Sequence, residues 1–354
     1  MSAAGFDALL LASFGGPESP EEVVPFLERV TAGRGIPRER LAEVGQHYFT
    51  LGGVSPINAQ NRLLIAALEA ELARRGLDLP VYWGNRNSAP FFADTMRELA
   101  ADGHQRVLAL ATSAYSSYSG CRQYREDLAL ALAESETAGE LEVVKIRPYY
   151  DVAGFAAAMR PSLQQQLERW REAGVPLEAA HVFFTTHSIP DPMSMGSGPD
   201  HCDSAAEGLY VRQHLRVAES LMDSSEFSWS LVYQSRSGAP GSPWLEPDIN
   251  DALAEAAERG LTHALMVPIG FISDHVEVVW DLDTQAMATA NELGIDCQRV
   301  DTAGVHEAFI HALVDLVESA ALGDVESRPA EWSRLCSENC CPNPRAAKPT
   351  VSGV

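Results

Sequence analysis

Short apolar runs rich in β-branched residues alternate along this chain with longer segments of helical period. FDALLLASF (6–14), LPVYWG (79–84), RVLALATSAY (106–115) and LEVVKIRP (141–148) form one set of strand-like runs. AAHVFFTTH (179–187), FSWSLVYQS (227–235), LTHALMVPIGF (261–271) and IDCQRV (295–300) form a second. Between them lie segments such as INAQNRLLIAALEAELARRG (57–76), apolar at helical spacing. This alternation predicts parallel sheets covered by helices on both faces. Two sets of four strands predict two similar α/β domains, residues 1–150 and 151–305. HEAFIHALVDLVESAALG (306–323) reads as a closing helix; the tail up to residue 354, rich in Pro, Ser, Asn and Cys, loses periodicity.

The unusual residues gather at the predicted carboxyl ends of these strands, where open parallel sheets bind ligands. Phe14, Gly15, Gly16 and Pro17 follow the first run; Gly84, Asn85, Arg86 and Asn87 follow the second; SAYSSYSGCRQY (113–124) follows the third. In the second set, HSIP (187–190), QSRSG (234–238) and SDHVE (273–277) occupy the same edge. Facing domains would bring these loops into one cleft. No GxGxxG follows the first strand, and no P-loop occurs, so it is not a nucleotide cleft by sequence.

Bulk properties narrow the classes further. The chain has 354 residues, is 46% hydrophobic and 21% charged, and carries a formal charge of −23. Such a surface repels nucleic acid and anionic membranes. No stretch is apolar over the 18 or so residues of a membrane span. The first residues lack a basic n-region, so the chain reads as cytoplasmic. Nearly all its cations are Arg; Lys145 and Lys348 are its only lysines. Six cysteines in a cytoplasmic chain point to a metal or cluster site rather than disulfides.

GFISDHVEVVWDLD (270–283) places Asp274, His275 and Glu277 between two buried-looking segments. A helix starting near Asp274, capped by Ser273 or Asp274, would put Glu277 and Asp281 on one face and His275 on another. A carboxylate in the first turn after a buried strand is costly unless used, which favours function for Glu277. For Asp281 and Asp283 a solvated helix face is the competing reading. His187 ends an apolar strand on the same predicted edge. An imidazole and a carboxylate make a proton-accepting pair, and both ligate divalent cations. HxxxH and HExxH are absent, so a closed zinc site is not expected.

FGGPES (14–19), GGVSPIN (52–58), TTHSIP (185–190), QSRSG with PWLEP (234–247) and GFISDHVEVVWDLD together resemble the ferrochelatase family. The resemblance is narrowest to its actinobacterial coproporphyrin III members with a C-terminal iron–sulfur cluster. It implies two Rossmann-like domains of the class II chelatase kind and insertion of ferrous iron, a substrate, into a porphyrin in haem synthesis. It implies His187 and Glu277 as proton acceptors or iron ligands, with Asp281 a step out along the supply route. Ser55, Tyr124, Phe14, Arg34 and Trp244 would contact the porphyrin, and Arg122 or Arg125 would pair with its carboxylates. Some relatives have Tyr in place of Phe14, which cannot ligate iron. Others have Arg near His47, so propionate contacts there do not carry over.

The tail LCSENCCPNP supplies Cys336, Cys340 and Cys341. By resemblance these join a fourth ligand in a 2Fe-2S cluster; Cys121 fits best and Cys202 is the reserve. Adjacent Cys340 and Cys341 are awkward on one iron and would fall on different irons. Cys297 reads as core. Iron insertion requires no electron transfer, so the cluster is expected to tie the tail to the first domain. The partners are small molecules, with a monomer and a transient contact to a downstream haem-synthesis enzyme expected. Rival readings are a protoporphyrin IX ferrochelatase, a cobalt chelatase and a non-catalytic porphyrin or haem carrier. An iron–sulfur electron carrier would leave the cleft loops unexplained.

Overall fold

All eight apolar runs form parallel strands in the computed structural model, which describes residues 5–33, 38–198, 208–238, 241–322, 336 and 339–354. The first half runs β1 (Ala8–Ser13), α1 (Pro20–Val30), α2 (Arg38–Thr50), α3 (Ile57–Arg75), β2 (Val81–Asn85), α4 (Phe92–Ala101), β3 (Arg106–Ala111), α5 (Gln123–Glu134) and β4 (Glu142–Lys145). A π-helical turn, Tyr118–Arg122, leads into α5. The long α6 (Ala153–Glu172) leads to β5 (Ala180–His187), α7 (Asp191–Met195), α8 (Gly208–Met222), β6 (Ser228–Gln234), α9 (Ile249–Glu258) and β7 (His263–Val267). Then come α10 (Val276–Val278), a π-helical stretch Val279–Ala286, α11 (Met287–Glu292), β8 (Asp296–Arg299), α12 (Glu307–Leu322) and β9 (Ser352–Gly353).

Both sheets wind alike. The first has the order β2-β1-β3-β4-β9 and the second β6-β5-β7-β8. In each, the first strand lies between the second and third, so the winding reverses beside it. The expected four-stranded first sheet has a fifth strand. β9 is two residues long and pairs with Val144 and Lys145, too short to register as a strand pattern in the sequence.

Alternation along each strand divides the core. Leu9 and Leu11 of β1, Leu108 and Leu110 of β3, Val182 and Phe184 of β5, and Leu265 and Val267 of β7 all belong to one buried cluster. Their neighbours, such as Leu10 and Ala109 in the first sheet and Phe183 and Met266 in the second, face separate outer cores. Successive side chains point to opposite faces, so each sheet buries both. The shared cluster includes Phe155 of α6 and Phe309 of α12, which join the halves. Tyr115 strengthens the seam: its hydroxyl donates to the Ile269 carbonyl at 2.9 Å and its ring stacks on His214 at 3.5 Å.

Gly154 lets α6 and α12 approach closely, since a Cβ there would lie 2.0 Å from the Ala308 carbonyl oxygen. Among the described residues no helix is long and apolar enough to cross a membrane. Gly154→Ala is expected to force these helices apart and destabilise the fold by about 1–3 kcal/mol, read as a lowered Tm.

Candidate active site

The winding reversal in the second sheet lies between β5 and β7, and both lead into the site. His187 is the last residue of β5, and Glu277 lies in α10, after the loop that follows β7. Their side chains meet: His187 Nε2 is 3.8 Å from Glu277 Oε2. The Nδ1 of His187 lies against the Ser188 carbonyl, which can only accept, so the proton is assigned to Nδ1. Nε2 then faces a carboxylate oxygen, as an acceptor in the neutral ring and as a donor in the protonated one. Two acceptors at this separation repel unless a proton or cation comes between them.

The backbone of His187 is anchored by a buried network. Tyr210 donates to its carbonyl at 2.8 Å, Thr186 joins the Tyr210 hydroxyl at 2.9 Å and His214 Nε2 at 2.8 Å. Burial lowers the His214 pKa to about 3, so it is neutral. On the other side, Arg299 grips both ends of the loop-to-helix segment, Asp274 at 3.1 Å and Asp283 at 2.6 Å. Asp274 and Asp283 are therefore clamps, and the solvated-face alternative for Asp283 is replaced by an ion pair.

Two expectations about this segment need correction. The helix starts at Val276 with His275 as its N-cap, in extended backbone with no side-chain cap bond, rather than at Ser273 or Asp274. Because His275 precedes the helix, it is not on a separate helical stripe: its Nδ1 lies 3.9 Å from the same Glu277 oxygen. Burial lowers its pKa against the pull of Glu277, favouring neutral imidazole. A π-helical pattern begins at Val279. Asp281 accepts a very short bond from Ser235 and lies 3.5 Å from Gln234 Nε2, whose amide also reaches the Glu277 carbonyl at 3.3 Å. Ser235 holds a φ of +60°, rare for a non-glycine residue. Burial raises the Asp281 pKa to about 6.

The first half supplies an aromatic wall. Phe14 packs on Phe26 with ring centroids 6.1 Å apart, and Phe26 on Tyr48 at 5.8 Å. These join Val276 and Trp280 in one cluster, and His47 stacks on Trp280 at 4.4 Å. Burial, then the charges of Glu277 and Asp281, hold the Tyr48 hydroxyl protonated well above the usual phenol range. His275 and the Gln234–Ser235 loop were expected on this edge, without roles; Tyr48 was not singled out from sequence. A QS pair at a strand end was the available signal; the position of Tyr48 depends on helix packing.

The other expected contacts scatter. Ser55 is buried under Gly16, and its N–H donates to the Pro17 carbonyl at 2.8 Å, so it supports the loop after β1. Trp244 is half-buried over Gly238 and bridges to Pro190. Tyr124 belongs to the outer core of the first sheet, only 3% exposed beneath Arg86, whose guanidinium is 4.3 Å from its ring. Arg122 is also turned away, paired with Glu126 at 2.9 Å, while Arg125 donates to the Val351 carbonyl at 2.8 Å. Arg34 and Cys202 lie outside the described residues.

Four cysteines do converge. Cys121, from the π-turn before α5, contacts Cys336 and Cys341, and Cys340 contacts the same two. Sγ of Cys340 is 3.9 Å from that of Cys341, and the Gly198 N–H donates to Cys341 Sγ at 3.0 Å. Hydrogen bonds from Cys336 and Cys341 hold the Cys121 thiol well below its ordinary value, while bonds to Cys121 push the Cys336 and Cys341 thiols up. Among the described residues no group of three or more His, Cys, Asp or Glu side chains is arranged to hold a metal ion. Cys297 stands apart in β8, its thiol pushed up to about 12 by burial.

Comparison with known proteins fits this arrangement. The family description "Ferrochelatase" matches residues 6–321. The chain belongs to the ferrochelatase family. It is 52% identical to "Coproporphyrin III ferrochelatase" from Streptomyces coelicolor, covering 100% of this chain and 98% of that protein. It is 48% identical to the protein of the same name from Leifsonia xyli, covering 99% and 94%. Among solved structures, SirB from Bacillus subtilis with Fe3+ has a TM-score of 0.49 at 12% identity, covering 89% of this chain and 96% of that one.

In this ferrochelatase Asp281 makes stability depend on pH. Its folded pKa of about 6 exceeds the ordinary 3.8, so the folded state binds the proton more tightly. That contribution is complete below the unfolded value and is lost as pH rises through the folded one. Asp281→Asn is expected to raise Tm at pH 7.5, by on the order of 1–2 kcal/mol of stability, with little effect near pH 4. Melting curves across that range check the sign.

Proposed function

We propose that this protein inserts ferrous iron into coproporphyrin III, giving Fe-coproporphyrin III in haem biosynthesis. The observation carrying the reading is the pair of acceptors, His187 Nε2 and Glu277 Oε2, 3.8 Å apart at the winding reversal. Insertion exchanges two pyrrole protons for one Fe2+, so the site must accept protons and tolerate a dication. A neutral imidazole and a carboxylate do both. The names of the actinobacterial relatives support coproporphyrin as the substrate.

In this reading a bent macrocycle exposes its nitrogen lone pairs, and binding it bent favours the transition state. His187 and Glu277 take up the two protons or ligate the arriving iron. Asp281, with a pKa of about 6, exchanges protons readily near neutral pH and serves as the relay to solvent. Phe14 and Trp244 would pack on the ring, and Ser55 would shape the loop beneath it. Phe14 offers the iron no axial ligand.

The four cysteines also fit a 2Fe-2S cluster, which takes thiolates in pairs on two irons rather than three donors about one ion. The closed ring of sulfur contacts and the Gly198 N–H aimed at Cys341 support this. With one thiol pulled down and its partners pushed up, bound metal is what would ionise all four. Cys121, Cys336, Cys340 and Cys341 would hold the cluster, whose contribution is to cross-link the tail to α5.

Glu277→Gln and His187→Ala are expected to slow insertion by about 100-fold or more, while porphyrin binding, followed by fluorescence quenching, persists. Near-normal turnover in both variants would remove the assignment. Comparing initial rates with coproporphyrin III and protoporphyrin IX under identical conditions decides the substrate. A faster protoporphyrin reaction overturns the coproporphyrin reading, and binding without turnover favours a carrier. Cys336→Ser is expected to abolish the visible absorption and labile sulfide of the purified protein without abolishing insertion.

A further inference from the structure

Lys145 is one of two lysines in the chain and is 2% exposed. It ends β4, beside the pairing with β9. Its ammonium donates to the Ile146 carbonyl at 2.9 Å and to Cys121 Sγ at 3.6 Å. Among the described residues no carboxylate pairs with it. Burying an ammonium without a counter-ion is costly, so a group of opposite charge is expected against it. A compact ammonium also suits contact with a single sulfur better than a guanidinium fork does.

The four-cysteine pocket supplies that group if it holds the cluster proposed above, and this inference rests on that reading. Two ferric ions, two sulfides and four thiolates sum to a dianion, and one-electron reduction adds a further negative charge. Arg125 approaches the same pocket, because it and Cys336 both flank Gly353. We propose that Lys145 is a positioning and charge-compensating residue for the cluster, holding β4, Cys121 and the returning tail together and raising the cluster's reduction potential.

The direction follows from electrostatics. A fixed positive charge beside a redox centre stabilises the more negative, reduced state. Removing it favours the oxidised state and makes the potential more negative. Lys145→Met keeps the volume and removes the charge; Lys145→Gln is a second neutral variant; Lys145→Arg restores the charge. Lys348, which is exposed, provides a distant control as Lys348→Met.

The experiment is an anaerobic dithionite titration of the purified full-length protein, followed by visible absorption and electron paramagnetic resonance. Iron and labile sulfide are measured on each sample, and a melting curve establishes folding. The neutral variants are expected to shift the one-electron equilibrium about tenfold or more toward the oxidised form, ~59 mV to more negative potential. Lys145→Arg is expected to recover most of that shift, and Lys348→Met to show none. Folded neutral variants that lose the cluster, with recovery in Lys145→Arg, also support the role. Wild-type protein with no iron or sulfide overturns the cluster reading and this inference with it. A cluster present in wild type and in both neutral variants, at one common potential, overturns the role of Lys145 alone.

Discussion

The approach of an imidazole nitrogen to a carboxylate oxygen, 3.8 Å apart, is the constraint around which the second half of this protein is built. Both side chains are partly exposed, at 32% and 50%, so their mutual contact alone does not fix them. The protein holds their backbones instead. Tyr210, Thr186 and His214 fix the end of β5 from inside the core, and Arg299 fixes the start and middle of the segment after β7 from outside. The pair is thus held in a preorganised arrangement with room for a proton or cation between its two atoms.

This constraint also explains the distribution of charge. A chain at −23 attracts ferrous iron but repels an anionic porphyrin. The arginines expected at the cleft from the resemblance are partly committed elsewhere, as Arg122 is to Glu126. Among the described residues of the first half, Arg29, on the Asn87 carbonyl at 2.6 Å, and Arg86, over Phe14 at 5.6 Å, approach the aromatic wall. Arg86 is itself paired with Asp127. The described surroundings of Glu277 are therefore aromatic and acidic.

How much of this could be read from sequence differs by feature. The eight strands were legible because each is an apolar run closed by turn residues, and their order placed His187 and Glu277 on one edge. The π-helical stretch was not legible, because VEVVWDLD fits an ordinary amphipathic helix equally well. His275 was placed on a separate stripe because the helix was expected to start at Ser273 or Asp274, whereas it starts at Val276 with His275 as N-cap. The burial of Tyr124 beneath Arg86 was not legible, because a motif carried over by resemblance says nothing about which side of a helix faces the core. The convergence of Cys121 with the tail cysteines was legible only through the resemblance; 215 residues separate Cys121 from Cys336 (336 − 121).

The tail raises a problem of its own. A two-residue strand gives few ladder bonds, and strands that short do not hold themselves. Something else must keep β9 beside β4. Arg125 grips the Val351 carbonyl, and Asn343 reaches Glu126 at 2.9 Å, both on α5. Val351 joins the outer core of the first sheet, while Cys340 and Cys341 close over Cys121. Several of these contacts fall on the π-turn and first two turns of α5, while Gly198 bonds Cys341 and Lys145 and Arg147 bond Val354, so the tail is fastened mainly at its two ends. A fastening that localised gains most from a strong central bond, and a metal cluster among the four sulfurs would provide one. The tail's attachment would then depend on iron, the same ion that the cleft consumes.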